Sequence, residues 1–375
     1  MKYPRLKLIS ILFFLIPLHF FAQNSSKRVI YTKDGKYQGE VYHGKPFGRG
    51  ETFYINGDHY VGEYDHGKRQ GYGVFTEKDG SIYKGQWFQD CMHGQGIFYF
   101  RNGNKYEGLW YKNKQHGNGV MSYYNGDKYV GNWVNGKRQG LGRYTFLNKS
   151  YYDGQWNNDK RNGHGRFFWS DGSTFVGDWK DNLKEGNGIY IYPNGDEYNG
   201  QWHNDIQNGK GIYKFKNGNC YEGDYIDGER TGKGILRYKD GSEYTGDFVK
   251  GLRSGNGTMS WANGDVYTGS WENDVQCGHG KLVKSNKDII EGQFRHGKMD
   301  GIIIIHFTDG SKFRGEYSNG QRNGKAIEVN KDGKRFEGSY LNDERHGKFT
   351  VRDSNGKIID KGIYEGGKKY SNREF

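Results

Sequence analysis

Proline is nearly missing from this chain. The four in 375 residues are Pro4, Pro17, Pro46 and Pro193, so no proline-rich stretch marks a linker between domains. Cysteine is as scarce, with an odd count made up of Cys91, Cys220 and Cys277. Catalytic signatures are missing too: there is no Gly-x-Ser-x-Gly, no His-Glu-x-x-His and no kinase motif, which removes the usual sequence grounds for assigning an enzyme class. Beyond residue 23 no apolar run approaches the roughly 20 residues that a membrane-spanning helix needs. Mean hydropathy is −1.03, a value that on its own suggests disorder.

What the chain does have is 62 Gly, 31 Tyr, 22 Phe and 9 Trp, and these fall in phase. Tyr106-Glu107-Gly108-Leu109-Trp110 is followed by Gly117-Asn118-Gly119 and Asn125-Gly126. The same spacing reads Tyr83-Lys84-Gly85-Gln86-Trp87 upstream and Tyr129-Val130-Gly131-Asn132-Trp133 downstream. From Tyr37 the pattern recurs without insertion or deletion through the copy starting at Phe336, with a decayed copy around Lys361-Gly362-Ile363-Tyr364. A fixed period of this size is the signature of a repeat architecture.

Each repeat is numbered from its leading residue. Positions three and twelve are always Gly, and position fourteen is Gly until Ile303, Ala326 and Phe349 replace it. Position five is aromatic except at Val41, and position twenty is always Asn or Asp. Alternate residues of a strand share a face, so positions one, three and five place aromatic, Gly, aromatic together, as do positions twelve to eighteen with Gly, Gly and two large apolar residues. The Asn-Gly or Asp-Gly at positions twenty and twenty-one suits a type I′ hairpin turn. The polar stretch typified by Lys137-Arg138-Gln139 reads as the other connection. Each repeat is therefore a β-hairpin, and the glycines leave room for a ring to lie on the backbone. A lone repeat would not fold; stability comes from stacking on neighbours. The predicted fold class is all-β, an elongated, twisted antiparallel meander of hairpins.

The pattern Tyr-x-Gly-x-Trp, Gly-x-Gly, Asp/Asn-Gly resembles the MORN (membrane occupation and recognition nexus) repeat over roughly residues 37–366. The resemblance implies an array that tethers membranes or scaffolds proteins, with dimers through the array among the options.

The flanks differ. In residues 1–23, Lys2, Arg5 and Lys7 precede an apolar run that ends Phe21-Ala22-Gln23, which reads as a secretory signal peptide, an uncleaved anchor being the alternative. Residues 24–36 form a short polar lead, 37–358 the array, and 359–375 a decayed repeat and tail. The implied location is periplasmic, cell-envelope or secreted.

Candidate sites are few. Adjacent hairpins are about 10 Å apart, which puts the three cysteines beyond the ~7 Å Cα reach of a disulfide, so no bridge is expected. His93, His116 and His346 share position eleven, with no Cys or carboxylate at ligand spacing, so neither metal nor cofactor is expected. Carboxylates such as Glu63, Asp178, Asp224 and Asp247 recur with the period and single out no acid–base pair. Asn24, Asn148 and Asn256 open glycosylation sequons, meaningful only in a glycosylating host.

The binding candidates are the basic residues of position ten: Arg69, Arg138, Arg161, Lys184, Arg230, Arg253, Arg322 and Arg345. Stacked in register they form a stripe. Its partner is an anionic phospholipid surface, an acidic glycan or a protein; alternatively the stripe is a solvated edge that blocks aggregation. Nucleic acid is not expected. The leading functional expectation is an exported, non-catalytic binding or scaffolding module that uses this basic edge and an aromatic-lined groove. The alternative is polysaccharide binding by exposed Trp and Tyr, with a hydrolase ranked last.

Overall fold

Glycine pairs set the register. In the computed structural model, which describes residues 26–371, Gly154 lies opposite Gly165 within its repeat, and Gly165 lies opposite Gly177 of the next. The chain divides into two blocks, one running to Tyr124 with Val134–Gly136, the other Asn125–Trp133 with Lys137 onward. In each, consecutive antiparallel strands form a meander of hairpins. No helix occurs among the described residues, and the all-β expectation holds.

The repeat led by Tyr152 shows the local logic. Its first strand is Tyr151–Asn157 and its second Lys160–Phe168. Tyr152 is fully buried because its ring lies flat over the glycine pair. A Cβ added to Gly165 would stand 2.3 Å from the Tyr152 hydroxyl oxygen and 2.5 Å from Cζ. The hydroxyl donates to the Gln155 carbonyl at 2.9 Å. Trp156 stands edge-on to Tyr152 at 5.3 Å, and Trp179 of the next repeat does the same at 5.5 Å. Edge-to-face contact is the favoured arrangement for such rings. Trp156 also donates its Nε1–H to the Gly142 carbonyl of the preceding repeat at 2.9 Å. Tyr152 is thus held between two Trp, its own and its neighbour's, and such rings link the repeats; elsewhere Tyr or Phe takes a Trp's place, as at Tyr221 between Tyr225 and Phe248.

The turns correct the sequence reading. The position-twenty turn is not type I′. At Trp169–Gly172 the Gly172 N–H donates to the Trp169 carbonyl at 3.0 Å, and only Gly172, at φ 91°, has positive φ. This is a type I turn followed by a glycine bulge, the usual three-residue hairpin. The Asp171 carboxylate accepts from the Ser173 N–H at 2.9 Å, a local bond that explains the Asn/Asp requirement. The two-residue turn with both φ positive lies at positions seven and eight instead, as in Asn158 (48°) and Asp159 (70°).

Positions nine to eleven are not a connection either. Lys137-Arg138-Gln139 opens the strand Lys137–Thr145. In the repeat led by Tyr152, Arg161 sits opposite Trp156, with a bulge separating that pair from the Gly154–Gly165 pair. Gly163 at φ 92° absorbs the extra residues, which no L side chain would do without strain.

Both flanks add strands. Within the expected polar lead, Ser26–Thr32 pairs with Gly35–Tyr42, and the decayed repeat supplies Ile358–Glu365 and Lys368–Ser371. The expected signal peptide lies outside the described residues.

Candidate binding surfaces

The bulge turns position ten onto the ring face. The Arg69 guanidinium lies over Trp87 with its carbon 4.1 Å from the ring centroid, Arg138 over Trp156 at 4.3 Å and Arg161 over Trp179 at 4.3 Å. Lys184 reaches Trp202 at 4.3 Å, Arg253 Trp271 at 4.6 Å, Arg322 Tyr340 at 4.3 Å and Arg345 Phe336 at 4.0 Å. Arg230 is looser, 5.3 Å from Tyr221. The row also bonds to the turn of the next repeat. Arg138 Nε donates to Asp159 Oδ1 at 3.0 Å and Nη2 to the Asp159 carbonyl at 2.9 Å. Arg69 with Asp90, Arg253 with Asp274 and Arg322 with Asp343 repeat the arrangement. The side chains of Arg69, Arg138 and Arg253 are only 18 % exposed, and burial draws the Lys184 ammonium and the Arg161 guanidinium below their ordinary pKa values. Position ten therefore works as a clamp between repeats.

Beyond the clamp the ring face carries a ribbon of buried and half-buried rings at positions sixteen and eighteen. Phe167, Trp169, Tyr190, Tyr192, Tyr213 and Phe215 follow one another with centroids 4.3 to 5.7 Å apart. The seven Trp of position five are buried or bonded to backbone within the sheet, and Trp169 and Trp261 of position eighteen are half-buried. His93 lies between Phe88 at 5.6 Å and Tyr111 at 5.3 Å, a packing site. Among the described residues no group of three or more His, Cys, Asp or Glu is arranged to hold a metal, and the three thiols are free.

The opposite face is built differently. Its floor is the glycine backbone, and its walls are positions two, thirteen and fifteen. Between residues 199 and 269 these enclose a groove of about 970 Å³ lined by Ile212, Ile235, Thr245, Thr258, Lys210 and Lys233. A groove of about 930 Å³ with Val29, Val61 and Val74 lies in the N-terminal block, and one of about 450 Å³ with Ile302 and Ile327 near the C-terminus. Ion pairs such as Lys233–Asp247, at 2.6 Å, bridge neighbouring repeats along the wall, and they hold the Asp247 carboxyl below its ordinary range. Sequence reasoning missed this face. The apolar entries of position fifteen (Val74, Ile97, Val120, Ile189, Ile212 and Ile235) were the signal available for it.

A family model, the MORN repeat, matches fourteen consecutive copies from residues 37–59 to 336–348. The chain belongs to the MORN-repeat family. Its arrays are repeat modules for binding and scaffolding, which is the level at which the family speaks to this chain. No curated protein matches the chain in sequence. Among solved structures it is similar to the TCP10 domain of Danio rerio CPAP in complex with a STIL peptide, at 15% identity over 54% of this chain and 96% of that one, TM-score 0.30. The Drosophila melanogaster SAS-4 TCP domain with an Ana2 proline-rich motif gives 17% identity over 40% and 83%, TM-score 0.27. At those scores the likeness carries no functional weight.

Proposed function

We propose that this MORN-repeat chain is an exported, non-catalytic binding module that works at a membrane or cell-envelope surface and holds a protein partner along the groove opposite its rings. The observation behind the choice of face is the contrast in exposed apolar surface. The ring face covers its large side chains with one another and with the position-ten cations, whereas Ile189 is left 37% exposed and Val61 45% exposed on the groove face. Exposed apolar rows flanked by charge suit a protein contact. Export rests on the basic and apolar pattern of residues 1–23. An anionic phospholipid surface would meet the outer edges of the position-ten cations. The half-buried rings from Trp169 to Phe215 favour a second reading, an envelope polysaccharide stacked on rings.

The test compares the chain from Asn24 with an Ile212→Lys/Ile235→Lys variant of equal thermal stability, as baits against envelope fractions. A partner held by the first and lost by the second supports the groove, and equal recovery overturns it. Vesicle co-sedimentation across a salt series separates the lipid alternative, since binding to anionic vesicles alone that fades with salt assigns the contact to headgroups.

A further inference from the structure

In the C-terminal block, position ten and the second turn residue of the next repeat vary together. Where that turn residue is Asp159, Asp205, Asp274 or Asp343, the residue facing it is Arg138, Lys184, Arg253 or Arg322. Where it is Gly228, Gly297 or Gly320, the residue facing it is Gln207, Gln276 or Met299. Three arginines depart from the rule: Arg161 faces Asn182, whose carbonyl accepts from its Nη2 at 2.7 Å, Arg345 faces Gly367 and Arg230 faces Gly251. Arg345 takes Glu328 instead, at 2.7 Å. The Arg230 guanidinium has neither a carboxylate nor a carbonyl partner among the described residues; it rests on Tyr221 at 5.3 Å and on Phe248 and Phe215 at 6.0 Å.

The missing carboxylate leaves a space. A cavity of about 270 Å³ opens beside Arg230, lined by Tyr213, Phe215, Tyr225, Glu229 and Lys250 among others. Tyr225 is 3% exposed, and its hydroxyl is buried without a hydrogen-bond partner, an arrangement that costs stability unless something fills it. In the preceding repeat Trp202 has this position, and its Nε1–H is bonded to the Gly188 carbonyl at 3.1 Å. The turn itself is unchanged: Lys250 and Gly251 have φ 49° and 83°, against 50° and 68° for Asn273 and Asp274. A Cβ built on Gly251 would lie 3.5 Å from Arg230 Nη2 and 3.9 Å from Nε. The site is the cradle of the neighbouring repeats with its acidic side chain removed.

We propose that this cavity binds a carboxylate supplied by a ligand, seated on Arg230 as the Asp274 carboxylate is seated on Arg253, with the Tyr225 hydroxyl as a second donor. The neighbouring pair gives the geometry, Arg253 Nε to Asp274 Oδ1 at 2.9 Å. Arg230 and Lys250 against Glu229 leave one net positive charge around the cavity, which suits a singly charged carboxylate. The rings of Tyr213 and Phe215 would face whatever carries that group.

The experiment follows the Nε–Hε resonance of Arg230 in the full chain by NMR, assigned by its loss in Arg230→Lys, with acetate as the probe. Titration with sodium acetate against sodium chloride at equal ionic strength should give a saturable shift for acetate only. Gly251→Asp should move the same resonance without added ligand, abolish the acetate response and raise Tm, because the turn already has the φ values that Asp adopts in its sister turns. An absent acetate response, or one that survives intact in Gly251→Asp, overturns the proposal. Saturation by inorganic phosphate and not by acetate overturns the carboxylate assignment in favour of a phosphoryl group.

Discussion

The repeats led by Tyr152 and by Ile290 are built on one register yet packed in opposite ways. In the first, a tyrosine ring covers two glycines and its hydroxyl reaches the Gln155 carbonyl at 2.9 Å. In the last three full repeats position fourteen gains a side chain and position one loses the hydroxyl. Ile303 goes with Ile290, Ala326 with Phe313, and Phe349 with Phe336, whose rings stack at 5.9 Å and 21°. There the ladder of single rings gives way to a cluster of Ile303, Ile305, Phe313, Ala326, Phe336, Tyr340 and Phe349. The comparison teaches that the glycine row is a volume constraint: two glycines let one ring lie flat on the backbone, and where position fourteen gains a side chain the leading residue shares the space with it.

That difference can be broken or sharpened by substitution. The largest effect should come from Gly165→Ala, whose new methyl would fall within 2.6 Å of three Tyr152 atoms; overpacking of this kind costs about 3 kcal/mol. Ala326→Gly, at the same position of the C-terminal cluster, should cost about 1 kcal/mol, and urea denaturation of both variants checks the ratio. Next comes the clamp. Arg138→Ala removes a stacked cation and bonds to Asp159 from a side chain 18% exposed, for a loss of about 2 kcal/mol. Arg322, 34% exposed over its own ring, should lose about half of that on the same grounds.

The pH dependence separates the regions further. Burial pushes the Tyr221 and Tyr267 phenols up from 10.0 to about 12. A phenol raised on folding contributes stability that is complete below the unfolded value and lost as pH rises through the folded one. The repeats led by Tyr221 and Tyr267 should therefore lose this contribution between pH 10 and 12, as read by tyrosinate absorbance and amide exchange. The repeats led by Ile290, Phe313 and Phe336 have no phenol at that position and should open later. The smallest effect is at the turns: Asp171→Ala removes the bond to the Ser173 amide and should speed exchange at Ser173 while leaving Tm nearly unchanged.

Much of this was legible from spacing. The hairpin repeat, the shared face of positions one, three and five, and the packing role of glycine all follow from an invariant period. The turns were misplaced because Asn-Gly is compatible with two turn types, and only the length of the loop separates them. Position ten was read as an edge because nothing local shows that Gly163 bulges and rotates Arg161 onto the rings. The pairing of Arg138 with Asp159 lay in the sequence as a correlation between adjacent repeats, visible only when one repeat's tenth residue is compared with the next one's eighth. The groove was harder to see because its floor is backbone, and only the apolar residues of position fifteen on its wall could have signalled it.

The most direct test of ring-on-glycine packing is a double-mutant cycle between Tyr152→Ala and Gly165→Ala, followed by urea denaturation. Strong coupling is expected: the alanine at 165 should cost less once the ring is removed, since all three Tyr152 atoms within 2.6 Å of the built Cβ are gone. Additive losses would mean that the two positions do not share one space, and the account of the array would be wrong.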